Sequence, residues 1–430
     1  MNVLDAAPIK AYGYELGFDL IRITGAEAFP ETERVIKERI AAGLMEGLPW
    51  FTSERAEVSC HPDALLPEAR SIIALAMCYL SEEPEEPQDD QPRGRISRYA
   101  WGADYHEVIK PKLKQFADWL REYARREGGP ELEARLFVDT GRMVDRAVAQ
   151  RAGIGWYGKN TTILTRGWGS WVFLAEIVTN LPLPADEPLQ ANCGKCERCL
   201  YACPTGALPA PYVLDNRRCI SYLTIELRGS IPRELRPLMG NLIFGCDICQ
   251  EVCPVNHVVE KRLGLRQIGP TGMQAEDRRT EAEVTRSGQR PQIWLRRRDE
   301  FRPRPQVGGA PELIPLLALS EEEFRTRFRH TPIWRAKRRG LLRNVCVALG
   351  NLGDQRAIPA LIHALSDTEA LVRGHAAWAL GCLGGEEARQ ALTARLEQEG
   401  DPEVRQEILQ ALAMMGSRNE EEDESNKKRR

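Results

Sequence analysis

Hydrophobic and polar positions alternate with different periods along this chain, and the changes of period mark its parts. The runs "SIIALAMCYL" from Ser71, "ARLFVD" from Ala134 and "SWVFLAEIVT" from Ser170 are short, apolar and rich in β-branched residues, which predicts buried strands. Between them, "HEVIKPKLKQFADWLREYARR" from His106 places apolar residues at helical spacing, with a proline near its start. "LPLPADEPLQ" from Leu181 is a proline-rich joint. After Pro311 the pattern becomes helical and repeats. "CVALGNLGD" at Cys346, "AWALGCLGG" at Ala377 and "LQALAMMGS" at Leu409 recur about every 31 residues, the spacing of HEAT-type helix pairs. From Met273 to Pro305 the chain is polar and arginine-rich, which predicts a surface insertion or linker, and "NEEEDESNKKRR" predicts a disordered charged tail.

The length of 430 residues calls for two or three domains. A content of 43% hydrophobic and 28% charged residues is that of a globular protein, and no apolar run is long enough to span a bilayer. No export signal is visible at the start, so a cytoplasmic location is expected. The net charge of −3 gives no general attraction to nucleic acid, so such contact requires local clustering of basic residues. "TPIWRAKRRGLLRN" supplies a cluster: Arg335, Lys337, Arg338, Arg339 and Arg343 lie there without an acidic residue, and a shared helical face is expected for 335, 338 and 339. A solvated helix face is the other reading.

Twelve cysteines in such a chain are expected to be thiols or metal ligands. Cys60, Cys78, Cys346 and Cys382 are scattered and read as small buried hydrophobes. The other eight form two groups. Cys193, Cys196, Cys199 and Cys203-Pro204 are spaced C-x2-C-x2-C-x3-C-P. Cys219 is followed by Cys246, Cys249 and Cys253-Pro254, repeating the C-x2-C-x3-C-P ending. This is the spacing of two-cluster ferredoxins, in which the fourth cysteine of each group serves the other cluster. Cys193, Cys196, Cys199 and Cys253 are expected to hold one [4Fe–4S] cluster, and Cys219, Cys246, Cys249 and Cys203 the other. A zinc ribbon, the competing reading, does not explain three cysteines in one loop or the repeated cysteine–proline pair.

Two further patterns resolve against their first appearance. "GIGWYG" at Gly153 matches G-x-G-x-x-G, but a helical stretch precedes it and "TTILT" follows, the reverse of a dinucleotide site. A tight turn that lets backbone approach a ligand or another element is expected instead. Asp104 and His106 match the start of a cobalt-binding D-x-H-x-x-G, but Ile109 replaces the glycine.

Taken together, "SRYAWGADYH" from Ser97, "VDTGRMVDRAVAQRAGIGWYGKN" from Val138, both cysteine groups and the "RAKRRGLLRN" entry to the repeats resemble the epoxyqueuosine reductase family over nearly the whole chain. Two departures are a longer segment around Met273 to Arg298 and a valine after Cys253-Pro254. The resemblance implies a multidomain α+β protein. Its parts would be an N-terminal α/β cobalamin-binding catalytic domain (1–182), a ferredoxin-like two-cluster module (183–257), a polar linker (258–310), all-α HEAT-like repeats (311–418) and the tail (419–430). It implies reduction of epoxyqueuosine to queuosine in a tRNA anticodon loop. Electrons would pass from an external donor through two [4Fe–4S] clusters to cobalamin, in a monomer. By resemblance, Asp139 is the proton donor, and Arg55, Ser97, Asp139, Lys159, Asn160, Ser170, Ser221 and Asp247 contact cobalamin. From the residues alone, Asp139 reads first as a strand-end aspartate capping the next helix. A reductive dehalogenase, or a non-catalytic electron carrier with a protein-binding solenoid, are the alternative functions.

Overall fold

The computed structural model describes residues 3–82, 89–265, 298–305 and 307–429, with side chains to 416. The chain forms two compact units, each assembled from three segments: Met1–Glu83, Gly102–Arg217 and Asp247–Arg302 in the first, and Pro84–Trp101, Arg218–Cys246 and Pro303–Arg430 in the second. The two-cluster segment is divided between the units, because the stretch Arg218–Cys246 packs with the repeats.

The first unit is built on a four-stranded, wholly antiparallel sheet in the order Leu20–Gly25, Ser71–Cys78, Val172–Thr179, Ala134–Phe137. Ser71–Cys78 is buried at all eight positions, which is why its sequence is continuously apolar rather than alternating. On one face Ile72, Ala74, Ala76 and Val178 pack with Ala147, Val148 and Ala152 of and after the helix Asp145–Arg151. On the other lies the helix Tyr105–Arg126, whose buried stripe of Ile109, Leu113, Phe116, Leu120 and Tyr123 follows the 3.6-residue period. Asp104 caps it, accepting from the His106 amide at 2.9 Å. "GIGWYG" leads into the hairpin Trp156–Tyr157/Ile163–Leu164. A Cβ on Gly155 would stand 2.3 Å from the Leu164 carbonyl oxygen, so the glycine there serves a close backbone approach.

In the second unit the helices Lys337–Leu352, Ala370–Leu383 and Pro402–Arg429 stack in sequence, with Ile358–Ala364 and Glu386–Gln398 as the alternate helices of the pairs. Arg343 and Asn344 tie the first of these to the segment Arg218–Cys246. The Arg343 guanidinium donates to the carbonyls of Leu223, Leu227 and Gly229, and Asn344 donates to those of Thr224 and Ile243. Arg236 adds an ion pair with Glu407 at 2.6 Å. The helix that begins at Pro402 runs to Arg429. Of the 258–310 linker, residues to Leu263 belong to the helix Pro254–Leu263 and Asp299–Phe301 form a helical turn, while 266–297 lie outside the described residues. Cys60, Cys78 and Cys346 are buried and Cys382 is half-buried. Among the described residues no helix is long and apolar enough to cross a membrane.

Candidate functional site

The edge strand Ala134–Phe137 ends in a loop whose backbone is unusual. Asp139 has φ of 51°, in the left-handed region that side chains rarely occupy, though aspartate tolerates it better than most. A Cβ on Gly141 would stand 2.4 Å from the Phe137 ring, so only glycine fits there. Side chains from two helices hold the loop. The Tyr105 hydroxyl donates to the Asp139 carboxylate. Arg55 donates to the Gly141 carbonyl at 2.8 Å. His106 bridges Asp104, at 2.9 Å from Nδ1, and the Thr140 hydroxyl, at 3.2 Å from Nε2. Asp139 does not cap the following helix, whose N-cap is Val144, so the capping alternative is overturned. Local strain held by several partners is characteristic of functional positions.

The remaining residues expected at cobalamin fall in both units. In the first unit, the buried Lys159 lies 3.2 Å from Glu197, and Asn160 donates to the Cys249 carbonyl at 3.2 Å. The Ser170 hydroxyl accepts from Asn256 at 2.8 Å and from Gln250 at 3.1 Å, and buried Asp247 precedes the turn Ile248–Glu251. These side chains join the glycine hairpin and the sheet to the two cysteine loops. In the second unit the Ser97 amide donates to the Phe244 carbonyl at 2.8 Å, and the Ser221 carbonyl accepts from Thr224 at 3.3 Å. The buried Trp156 indole N–H has no partner among the described residues. The sequence reading missed Tyr105, Gln250 and Asn256. Tyr105 sits in the quoted "DYH", but nothing marked its hydroxyl as a partner of Asp139.

Cys193, Cys196, Cys199 and Cys253 all belong to the first unit and lie within electrostatic reach of one another. Burial, and then Cys253, Cys193 and Cys196, push the Cys199 thiol up to about 11, and burial together with Cys193 and Cys196 raises Cys253. Cys199 and Cys253 thus resist ionising beside the other thiols, a repulsion that a bound metal would relieve. The helices Arg198–Ala202 and Ile248–Glu251 pack together, each one turn before a cysteine–proline pair, and Pro254 opens the next helix at the position where its missing N–H costs nothing. Cys203 receives an amide hydrogen bond from Ala207 at 3.3 Å. Of the second set, Cys203 and Cys249 lie in the first unit and Cys219 and Cys246 in the second.

The basic cluster at the repeat entrance is smaller than its sequence. Arg343 is 1% exposed and its guanidinium is occupied by carbonyls, which removes it from any phosphate-binding set. Burial lowers its affinity for a proton to a pKa of about 9. Arg335 is in the 3-10 turn Pro332–Ala336 rather than on the helix that starts at Lys337, so 335, 338 and 339 do not share a helical face. Arg338 is paired with Asp367 at 2.6 Å. Lys337 lies 4.8 Å from the centre of the Trp334 ring, and Arg335 and Arg339 are 37% and 44% exposed at the side chain.

Two cysteine loops beside a sheet domain, followed by stacked helix pairs, define an iron–sulfur oxidoreductase with a helical-repeat extension. Family models agree segment by segment: a 4Fe-4S double cluster binding domain over 192–256, HEAT repeats over 336–413, and epoxyqueuosine reductase QueG, DUF1730, over 60–140. The chain is 35% identical over 416 residues to the epoxyqueuosine reductase of Bacillus cereus, covering 96% of this chain and 98% of that one. It is 35% identical over 377 residues to that of Escherichia coli, covering 87% and 88%. A solved epoxyqueuosine reductase with an epoxyqueuosine-modified tRNA-Tyr stem loop aligns at a TM-score of 0.80 and 33% identity, over 95% of this chain and 98% of that one. The Bacillus subtilis enzyme, solved with its catalytic aspartate loop swung out of the active site, aligns at 0.79 and 33% over the same shares. The chain belongs to the epoxyqueuosine reductase family.

Proposed function

We infer that this chain reduces epoxyqueuosine to queuosine in the anticodon loop of tRNA, using two [4Fe–4S] clusters. The observation that carries this is the full-length relationship, which includes the sheet domain, both cysteine groups and the repeats together. The overall change removes the epoxide oxygen as water and takes up two electrons and two protons. Cys193, Cys196, Cys199 and Cys253 hold the first cluster, and Cys219, Cys246, Cys249 and Cys203 the second. Cobalamin, if held there, would supply the redox-active metal chemistry that epoxide reduction needs. Arg55, Ser97, Lys159, Asn160, Ser170, Ser221 and Asp247 are its contacts in this reading. Asp139 protonates the oxygen as the ring opens, since opening builds negative charge there. Tyr105 orients the Asp139 carboxyl, and Arg55 and His106 steady the loop. The protein works as a monomer with an external electron donor. Arg335, Lys337 and Arg339 contact the tRNA backbone.

The test is anaerobic single-turnover conversion. Reconstituted protein, cobalamin and a reductant are mixed with an epoxyqueuosine-modified stem loop, and the nucleosides are analysed by mass. Loss of one oxygen is expected. An unchanged nucleoside, with clusters and corrin present, overturns the reading.

A further inference from the structure

Behind the Asp139 loop lies a pair of carboxyl groups with no role in the reaction as described. Asp145 opens the helix that follows the loop. Glu176 is 1% exposed in the central strand Val172–Thr179, opposite Ala74 on one side and Phe137 on the other. Phe137 is two residues before Asp139, so Glu176 lies at the root of the loop. A carboxylate in such a place is costly unless it is paired or protonated. The two side chains lie within hydrogen-bonding reach of each other. Asp145 Oδ1 and Glu176 Oε2 are buried and receive no hydrogen bond from a donor among the described residues.

Two carboxylates offer only acceptors, so a hydrogen bond between them requires at least one proton. Glu176 is the more deeply buried and keeps it. Burial, and then the Asp145 charge, raise its affinity for a proton well above the usual carboxylate range. Asp145, receiving the Glu176 hydrogen bond, is pushed by burial only to about 6. The other charges around the pair are Asp139 on the loop, which acts on both, and Arg146 on the same helix. Tyr157 on the glycine hairpin senses Asp145, Arg146 and the Cys60 thiol.

We propose that Asp145, held by protonated Glu176, returns a proton to Asp139 after Asp139 has protonated the opened epoxide oxygen. The Asp145 O–H breaks, the Asp139 carboxylate gains that proton directly or across one water, and the Asp145 carboxylate left behind is stabilised by the Glu176 O–H. The reaction consumes two protons and Asp139 holds one, so a second acid close behind it completes the supply. This rests on the assignment of Asp139 above. Asp145 does not touch the substrate, so it is a positioning residue that hands a proton on.

The test uses full-length protein carrying Asp145→Asn or Glu176→Gln. Single-turnover rates with the modified stem loop are measured against pH, and infrared spectra of substrate-free protein are recorded in light and heavy water. The wild-type rate is expected to fall as pH rises through about 6. Asp145→Asn should lack that inflection and lie about tenfold or more below the wild-type acid plateau. Glu176→Gln keeps a neutral donor to Asp145 and should keep the inflection, while losing a protonated-carboxyl band that wild type and Asp145→Asn show at neutral pH. An Asp145→Asn enzyme with the wild-type inflection, or a Glu176→Gln protein with the full band, overturns the proposal. A wild type that converts no substrate overturns it together with the proposed function, whereas normal conversion with an unaltered Asp145→Asn profile overturns it alone.

Discussion

Asp139 pairs a backbone that side chains avoid with a carboxylate that receives a tyrosine hydroxyl, and no helix cap explains either. Asp139→Asn is nearly isosteric and should keep iron and corrin content while lowering single-turnover conversion by about 10²–10⁴-fold. A near-normal rate, measured by nucleoside mass, would count against the proton-donor role. Cys203→Ser should damage the cluster expected at Cys219, Cys246 and Cys249 and leave the Cys193 cluster nearly intact. Electron paramagnetic resonance on the anaerobic variant checks this, and loss of the Cys193 cluster instead would mean uncrossed ligation. The double-cluster pattern was legible because ligand spacing is local in sequence. Asp139 was singled out only through the "VDTG" resemblance. The Asp145–Glu176 pair was not legible: Glu176 is a single charge in the apolar run "VFLAEIVT", and its partner lies 31 positions back, joined to it only by the folded sheet and helix.

Among the elements, the helix Lys337–Leu352 shows how a charge run divides on folding. Its inward arginine and asparagine fasten the Arg218–Cys246 segment. Its entrance leaves Lys337 and Arg339 exposed and Arg335 part-exposed, with Arg335 paired with Glu226 at 3.6 Å and Arg339 with Glu369 at 3.8 Å. Arg343→Ala should destabilise the second unit by on the order of 3 kcal/mol, because buried carbonyls lose a charged donor. Thermal unfolding of the second unit, followed by hydrogen exchange, reads it. Arg335, Lys337 and Arg339 changed together to Ala should leave stability near wild type and weaken tRNA binding. Each lost phosphate contact should flatten the log–log salt slope by roughly 0.7–0.9. Affinity for full-length tRNA at several salt concentrations tests it, and an unchanged slope would mean that the cluster only packs. The helical repeats and central strands were plain from periodicity. Which basic residues turn inward was not, because the acceptors of Arg343 are carbonyls more than a hundred residues earlier.

Across the whole molecule, the two units should respond to acid with opposite sign. In the repeats, Glu399 is held down to about 2, chiefly by the Arg373 hydrogen bond at 2.8 Å, with Arg395 adding to it. A depressed carboxyl contributes stability that is present above its usual range and lost as pH falls toward 2. In the sheet unit, Asp145 is raised to about 6 and Glu176 further. Raised carboxyls hold protons that the unfolded chain releases, so that unit loses stability as pH climbs from the usual carboxylate range to about 6. Hydrogen exchange resolved by unit across this range should show both slopes. Glu399→Gln should flatten the first, and Asp145→Asn combined with Glu176→Gln the second; parallel slopes in the two units would refute the assignment. At this scale neither unit is a continuous stretch of chain, a discontinuity that no local sequence pattern announces. That discontinuity also sets an order of events during synthesis. The segment bearing Cys219 and Cys246 leaves the ribosome about a hundred residues before the helix Lys337–Leu352 is complete. At about 5–20 residues per second the delay is roughly 5–20 s. For that interval the segment carrying two of the eight cysteines lacks its finished scaffold, so the second cluster, in the ligation proposed above, should load only after the first repeat helix is made.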